Sequence, residues 1–253
     1  MHLFLVRHAM AQHNLAAPED AAGQNSEFTP YERLGDTSLT RQGRIQAFLA
    51  AKRLRNVGFD YVLSSPLQRA LSTAQAIMDQ QDTPCAIECL PDLMECGCRN
   101  YSGMPEDLLR RLYPRILCCG DMQPTGWPRI YPETDPESLL ARAHRVKDYL
   151  LSRFGENDKV LVVTHGAFMG RYLFKVLLDL PDAIIPSLSL GAENASVTKM
   201  TLEKGRPPMM MLLNDTSHLG KYVSRDLFTL DWHNVENAVS PLAENELAEF
   251  RFE

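Results

Sequence analysis

An arginine–histidine pair directly after a short apolar run is the feature that most constrains this chain. Residues 3–6 (LFLV) have the length and composition of a buried parallel strand, and Arg7 and His8 follow them at once. In open sheets of parallel strands, ligands bind at the edge formed by the carboxyl ends of the strands. The pair therefore predicts a cation and an imidazole at the ligand-binding edge of an α/β sheet.

Two further apolar runs lead to residues of the same kinds. Residues 160–163 (VLVV) lead to His165, and residues 61–64 (YVLS) lead to Arg69, one turn into a predicted helix. Because the ends of neighbouring parallel strands lie side by side, we expect these two side chains to share one pocket with the first pair. Two imidazoles and two guanidiniums predict a phosphate site with a nucleophile beside it.

Helix and strand signals alternate along the chain, which is typical of three-layer α/β folds. Apolar residues at helical spacing predict helices over residues 40–54, 66–77, 105–113, 137–154 and 168–178. Beyond the three runs above, strands are predicted at residues 85–89, on an edge of the sheet, and at 195–202 and 209–213, as a hairpin. We expect one domain over residues 1–253, with an α/β/α architecture and a mostly parallel central sheet.

Residues 97–135 are rich in Pro, Gly, Arg and Cys. We interpret them as an insertion that forms a substrate lid over the C-terminal edge of the strands. Three arginines in this insertion are interpreted as solvated surface rather than substrate contacts: Arg110, Arg111 and Arg115. The acidic tail, residues 220–253, is assigned no role.

The charge and hydropathy of the chain exclude several classes of partner. A formal net charge of -6 argues against general nucleic-acid binding, which needs a broad basic surface. No apolar stretch approaches the roughly 20 residues of a membrane span, and Arg7 interrupts the N-terminal run too early for a signal peptide. We therefore expect a cytoplasmic protein whose partner is a small phosphorylated substrate, and the oligomeric state stays open.

Four of the six cysteines suggest a zinc site that their spacing does not support. They are Cys96, Cys98, Cys118 and Cys119. Structural zinc sites use C-x2-C spacing, and adjacent cysteines rarely bind one metal. We interpret the cysteines as thiols in a reducing compartment, and we expect neither a metal nor a cofactor.

Four segments together carry a resemblance to a known family. The first is RHA at residues 7–9 with Asn14 at a fixed offset, and the second is SSPLQRA at residues 64–70. The third is the stretch around Glu95, in which an aromatic residue and a glycine follow the carboxylate, and the fourth is VVTHG at residues 162–166. Any one of these segments could occur by chance, but four in this order are specific.

These segments resemble the motifs of the histidine phosphatase superfamily, which includes cofactor-dependent phosphoglycerate mutases and many phosphomonoesterases. The resemblance covers most of the chain, with Ala9 standing where the family has glycine, which predicts a methyl group close to the phosphate. The catalytic residues it implies are His8, Arg7, Arg69, Glu95 and His165. The substrate-binding residues it implies are Arg7, Asn14, Arg69, His165 and Gly166.

The chemistry of these groups agrees with the resemblance. A neutral imidazole is nucleophilic near pH 7, so His8 attacks phosphorus without a partner base. The arginines present planar pairs of donors to the phosphoryl oxygens, and Glu95 is the candidate general acid for the leaving oxygen. Four other histidines are interpreted as structural or surface residues: His13, His144, His218 and His233. Among these, His218 is the first to reconsider, because its Thr-Ser-His context suggests proximity to the site.

Three functions follow from this site. The favoured one is a metal-independent phosphomonoesterase that hydrolyses a small phosphorylated metabolite through a phosphohistidine on His8. A phosphoglycerate mutase uses the same intermediate, but residues 121–127 do not resemble the Arg- and Pro-rich stretch that accompanies mutases in the family. A non-catalytic binding protein is the third, and a retained proton donor argues against it.

Overall fold

A seven-stranded mixed sheet organises the protein, with strand order β4-β3-β2-β5-β1-β6-β7. The computed structural model describes residues 1–14, 36–97, 104–118 and 135–223. The strands are β1 (His2–Arg7), β2 (Tyr61–Ser64), β3 (Ile87–Cys89), β4 (Ile116–Cys118), β5 (Lys159–Thr164), β6 (Val197–Thr201) and β7 (Met209–Asp215). The first five strands in this order run parallel, and β6 and β7 form the predicted antiparallel hairpin. The expectation of a mostly parallel sheet is confirmed.

Helices cover both faces of the sheet. They are α1 (Arg41–Leu54), α2 (Gln68–Met78), α3 (Glu106–Leu112), α4 (Pro136–Arg153), α5 (Gly166–Phe168) and α6 (Phe174–Leu177). Alternate residues of β1 divide between the two layers, since Leu3 and Leu5 pack with α4 while Phe4 and Val6 pack with α1 and α2. The three-layer prediction is therefore confirmed. Among the described residues, no helix combines the length and apolar character of a membrane span.

Side-chain caps and glycines explain where several helices begin and end. The hydroxyl of Thr40 accepts the amide of Gly43 at 2.9 Å at the start of α1, as predicted, and Asp135 accepts the amide of Ser138 at 2.8 Å at the start of α4. Gly58, with φ of 63°, lies in the left-handed region just after α1 and allows the chain to turn into β2.

The edge of the sheet differs from the prediction. Residues 85–89 were predicted as an edge strand, but β3 pairs on both sides because β4, from the predicted insertion, extends the sheet. Part of the predicted lid is therefore a sheet element. Residues 98–103 and 119–134 of that insertion, and residues 224–253 of the tail, lie outside the described residues.

The last predicted helix is also interrupted. Between α5 and α6 the chain forms a π-helical turn, Met169–Leu173. A Cβ atom on Gly170 would lie 2.1 Å from the carbonyl oxygen of Leu190, so glycine allows the following loop to approach this turn closely. Hydrophobic periodicity cannot distinguish an α-helix from such a turn, because the same face stays buried.

Candidate active site

Three neighbouring strand ends bring the candidate residues together. The strand order β2-β5-β1 places Ser65, His165 and His8 at one edge, each directly after its strand. The amide of His8 donates to the carbonyl of Thr164 at 2.9 Å, and the amide of Ser65 donates to that of Val163 at 3.0 Å. The predicted convergence of side chains therefore follows from strand pairing that continues one residue past the strands.

His8 is a buried imidazole with a defined tautomer. The ring is 1% exposed, and its Nδ1 lies 2.7 Å from the carbonyl oxygen of Ala9. Because a carbonyl only accepts hydrogen bonds, Nδ1 carries the proton and Nε2 keeps its lone pair. Burial, followed by the charges of Arg69, His165, Arg7 and His13, holds the pKa of His8 well below its usual value. The group is thus a neutral nucleophile at neutral pH.

His165 lies against His8, with a ring-centroid distance of 5.0 Å and an interplanar angle of 54°. Its Nε2 is 2.7 Å from the hydroxyl oxygen of Ser65, and its buried Nδ1 has no hydrogen-bond partner within the described part of the chain. Burial lowers the pKa of His165 well below normal, and the charges of Arg69 and other neighbours lower it further.

Arg7 occupies its position because residue 166 is glycine. A Cβ atom there would lie 2.8 Å from Nε and 2.9 Å from Cζ of Arg7, so any side chain would displace the guanidinium. Arg7 also donates from Nη1 to the carbonyl of Ala192 at 2.6 Å. The predicted residue Gly166 thus lies against the guanidinium of Arg7, and its lack of a side chain leaves room for that group.

Arg69 lies in the first turn of α2 and is 3% exposed. Asp36 fixes this turn, because its Oδ1 accepts the amide of Gln68 at 2.7 Å. Thr73, one turn further on, donates its hydroxyl to the carbonyl of Arg69 at 2.7 Å and accepts the amide of Ala9 at 3.0 Å. Helix α2 is thereby joined to the loop that carries His8.

Glu95 caps the short helix that follows His165. Its Oε1 accepts the amides of Cys96 at 2.8 Å and Phe168 at 2.9 Å, and its Oε2 accepts the amide of Ala167 at 3.2 Å. The carboxyl group therefore lies beside the segment that contains His165 and accepts the backbone amides at the start of α5.

Two residues near the nucleophile complete the loop after β1. Asn14 accepts the amide of Ala11 through Oδ1 at 2.9 Å and so closes the turn. The side chain of Ala9 packs in a small apolar cluster with Ala47 and Ala50 of α1. The methyl group at this position therefore contributes to the packing of α1 against the loop.

His13, which was interpreted as a structural or surface residue, lies beside His8. Its ring centroid lies 5.7 Å from that of His8, at an interplanar angle of 49°. A bridge between Ala11 and Leu39 joins the loop that carries His13 to the residues before α1, and no signal in the sequence indicates this contact.

The loop at residues 192–195 also contacts the candidate site, and no signal in the sequence predicts this. Asn194 donates from Nδ2 to the carbonyl of His8 at 3.0 Å, and the amide of Ala195 donates to that of Arg7 at 3.1 Å. His218 contacts this loop, because its Nε2 lies 3.1 Å from the carbonyl oxygen of Ala195. His218 is therefore adjacent to the backbone that holds the nucleophile.

The remaining polar residues singled out from the sequence lie elsewhere. His144 pairs with Asp182 at 3.1 Å on the surface. The three arginines of the insertion form surface ion pairs: Arg110 with Glu106, Arg111 with Asp107 and Arg115 with Asp79. His233, Cys98 and Cys119 lie outside the described residues. Within the described ranges, no cluster of three His, Cys, Asp or Glu side chains is arranged to hold a metal.

The fold and this geometry define an α/β protein with two adjacent buried histidines and two buried arginines at the carboxyl ends of its parallel strands. The chain matches the model of the histidine phosphatase superfamily (branch 1) over residues 3–216, and it belongs to that superfamily.

Relatives within the superfamily include both mutases and phosphatases. A 2,3-bisphosphoglycerate-dependent phosphoglycerate mutase of Bartonella henselae is 31% identical over 173 residues, which cover 65% of this chain and 75% of that protein. Phosphoserine phosphatase 1 of Hydrogenobacter thermophilus is 29% identical over 228 residues, which cover 87% of this chain and 95% of that protein.

Solved structures share the fold. A phosphoserine phosphatase from Entamoeba histolytica, in complex with phosphoserine, aligns with a TM-score of 0.56 at 24% identity, covering 86% of this chain and 98% of that one. A mycobacterial glucosyl-3-phosphoglycerate phosphatase aligns with a TM-score of 0.55 at 21% identity, covering 85% and 99% of the two chains.

Proposed function

We propose that this protein is a phosphomonoesterase that hydrolyses a small phosphorylated metabolite through a phosphohistidine on His8, without a metal ion. The observation that carries the proposal is the contact between the His8 and His165 rings, 5.0 Å apart, at a place where both guanidiniums depress the pKa of both imidazoles. Two arginines supply the positive charge for the phosphoryl oxygens that a metal ion supplies in other phosphoryl-transfer enzymes.

In the first half-reaction, Nε2 of His8 attacks phosphorus and the phosphorus–oxygen bond of the ester breaks. Arg7 and Arg69 bind the equatorial oxygens, and His165 donates a hydrogen bond once the bound dianion has raised its pKa. The leaving oxygen takes a proton from Glu95. To donate this proton, the carboxyl group gives up one of its hydrogen bonds from backbone amides. Asn14 and Gly166 are proposed as further substrate contacts, through a side-chain amide and a backbone amide.

In the second half-reaction, water attacks the phosphohistidine and the nitrogen–phosphorus bond breaks. Glu95 accepts a proton from the attacking water, so the carboxyl returns to its starting form. His8 is released as the neutral imidazole, and inorganic phosphate leaves. The same residue thus serves first as an acid and then as a base.

Replacing the nucleophile tests this proposal. We expect His8→Ala to abolish turnover of p-nitrophenyl phosphate, because no other group in the site replaces the attacking Nε2. The matched control is His144→Ala, which removes a surface histidine and should retain full activity. Acid-labile, base-stable labelling of the wild type by a radiolabelled ester should disappear in His8→Ala. Residual turnover above about a few per cent of wild type would remove His8 as the nucleophile.

A mutase is the second candidate, because one relative at 31% identity has that activity in its name. Both reactions share the phosphohistidine, and they differ in whether water or the product hydroxyl receives the phosphoryl group. Incubation with 3-phosphoglycerate and 2,3-bisphosphoglycerate distinguishes them: a phosphatase releases phosphate, whereas a mutase forms 2-phosphoglycerate. Phosphoserine belongs in the same substrate panel, because a relative that covers 87% of this chain is named a phosphoserine phosphatase.

A further inference from the structure

His13 is an imidazole beside the nucleophile that the proposed mechanism does not use. It lies in a short 3-10 turn, Gln12–Asn14, and its ring centroid is 5.7 Å from that of His8. An attacking nitrogen approaches phosphorus at about 3–3.5 Å. A ring at this separation from His8 is therefore within hydrogen-bonding reach of a phosphoryl group held for attack.

The ring of His13 is anchored at one nitrogen only. Nδ1 lies 2.7 Å from the hydroxyl oxygen of Thr37, which is 1% exposed. Thr37 directly follows Asp36, the residue that fixes the first turn of α2 and hence Arg69. One loop thus positions both a guanidinium and an imidazole. Within the described residues the Thr37 contact is the only hydrogen bond of the ring, so Nε2 is available to a ligand.

The charges that face His13 are positive. Burial, then Arg69 on α2 and Arg7 at the end of β1, holds the pKa of His13 well below its usual value. His8 packs against the ring, and the charge of His13 in turn lowers the pKa of His165. No carboxylate of the described residues is among the causes of the shift in His13. A phosphate dianion would oppose these charges and favour protonation of the ring.

We propose that His13 is a third imidazole of the phosphoryl site and binds the phosphomonoester dianion as an imidazolium, with Nε2–H donating to the ligand and Nδ1–H donating to Thr37. This inference rests on the proposed function, because it requires the phosphoryl group to lie at His8. The ring takes its proton from solvent when the ligand binds. Affinity for the dianion should therefore gain a component that increases as the pH falls.

Calorimetric binding of inorganic phosphate tests the proposal directly. Titrations at pH 6.5 and pH 8, each in buffers of different ionisation enthalpy, give the affinity and the number of protons taken up. We expect His13→Gln to weaken phosphate binding about tenfold at pH 6.5, the usual effect of losing a charge-assisted hydrogen bond, and by less at pH 8. The number of protons taken up should fall by as much as one. Wild type and variant are compared at the same pH, so the protonation of free phosphate contributes equally to both titrations.

Two control variants separate the role of His13 from general effects. His144→Gln makes the same change on the surface and should leave both the affinity and the proton count at wild-type values. Thr37→Val removes the acceptor for Nδ1–H and should weaken binding in the same direction as His13→Gln, by a smaller factor. Nitrogen-15 spectra of the histidine rings in the wild type, with and without phosphate, should show His13 becoming doubly protonated in the complex.

The outcomes distinguish this inference from the proposed function. Wild-type affinity and proton uptake in His13→Gln, or a neutral His13 in the phosphate complex, would overturn the inference while leaving phosphatase activity untouched. Failure of the wild-type enzyme to form a phosphohistidine would overturn the proposed function. If His13→Gln does not fold, the ring spectra of the wild type and the Thr37→Val titration still decide the role of His13.

Discussion

At the scale of single residues, hydrogen bonds determine which atoms are available for chemistry. The carbonyl of Ala9 holds the proton of His8 on Nδ1 and so leaves Nε2 to attack. The carboxylate of Glu95 is held by three backbone amides beside His165. The proposed nucleophile is therefore preorganised, whereas the proposed acid has to exchange a contact before it can donate.

Substitution of Glu95 tests its proposed role through the leaving group. We expect Glu95→Gln to slow hydrolysis of an alkyl phosphate such as phosphoserine by about 10²-fold or more, the usual contribution of general acid catalysis. Hydrolysis of p-nitrophenyl phosphate should slow much less, because nitrophenolate leaves without protonation. The measurement is kcat for both esters in both proteins. Equal losses would indicate that Glu95 acts only as a cap of the following helix.

The sequence predicted the side chains that follow strands and missed those that depend on loops. His8, His165 and Arg69 were predictable, because the end of a buried strand determines where the next residues lie. His13 and Asn194 were not, since their positions depend on how loops return across the strand ends. Ala195, in the loop at residues 192–195, has a left-handed φ of 56°. An alanine in the sequence does not indicate this conformation.

At the scale of elements, the position of α2 determines where Arg69 lies, one of the two arginines proposed to bind phosphate. Asp36 accepts the amide of Gln68, and the side-chain amide of Gln68 donates to the carbonyl of Asp36 at 2.8 Å. This pair of bonds fixes the helix start immediately before Arg69. Because Asp36 is fully buried, its contacts are shielded from competing water.

Removal of this cap should affect catalysis as well as stability. We expect Asp36→Ala to lower the free energy of unfolding by about 1–2 kcal/mol and to reduce kcat/KM of the folded enzyme, because Arg69 loses its fixed position. The control is Asp158→Ala, which removes a carboxylate that accepts the amide of Gly155 at 2.8 Å in the turn before β5, at the opposite edge of the sheet. Urea unfolding and steady-state kinetics of both variants give the comparison. Full activity in Asp36→Ala would show that α2 is positioned without the cap.

The elements that were predicted best are those buried on both faces. The apolar run predicted at residues 160–163 forms a strand that extends one residue further at each end, because the centre of a parallel sheet requires a continuous apolar run. The strand β4 was missed, since it has only three residues and its central Leu117 is 52% exposed. The π-helical turn after α5 was missed because it arises from the close approach of a distant loop to Gly170.

At the scale of the whole molecule, three imidazoles of the candidate site have their pKa values lowered in the folded protein. They are His8, His13 and His165. In the unfolded chain each titrates near the ordinary value of about 6.5. The folded state therefore binds fewer protons than the unfolded state at pH values below about 6.5, and the stability present above this pH is lost as the pH falls towards the folded pKa values.

Acid titration of stability tests this linkage. In chloride buffers without phosphate, we expect the free energy of unfolding to fall between pH 7.5 and pH 5.5, by at most about 1.4 kcal/mol per pH unit for each histidine. His165→Gln removes one of the three groups and should make the dependence shallower. Urea titrations of the two proteins at four or so pH values provide the measurement. An identical slope in wild type and variant would show that His165 takes no part in the linkage.

The contacts of the loop at residues 192–195 have a consequence for synthesis of the protein. Arg7 donates to a carbonyl 185 positions further along the chain, and the carbonyl of His8 accepts from a side chain 186 positions further along. Pairings between such distant segments are made late, because the intervening chain must be ordered first. In a nascent chain, the imidazole of His8 therefore emerges from the ribosome 186 residues before Asn194, whose side chain holds the backbone at His8.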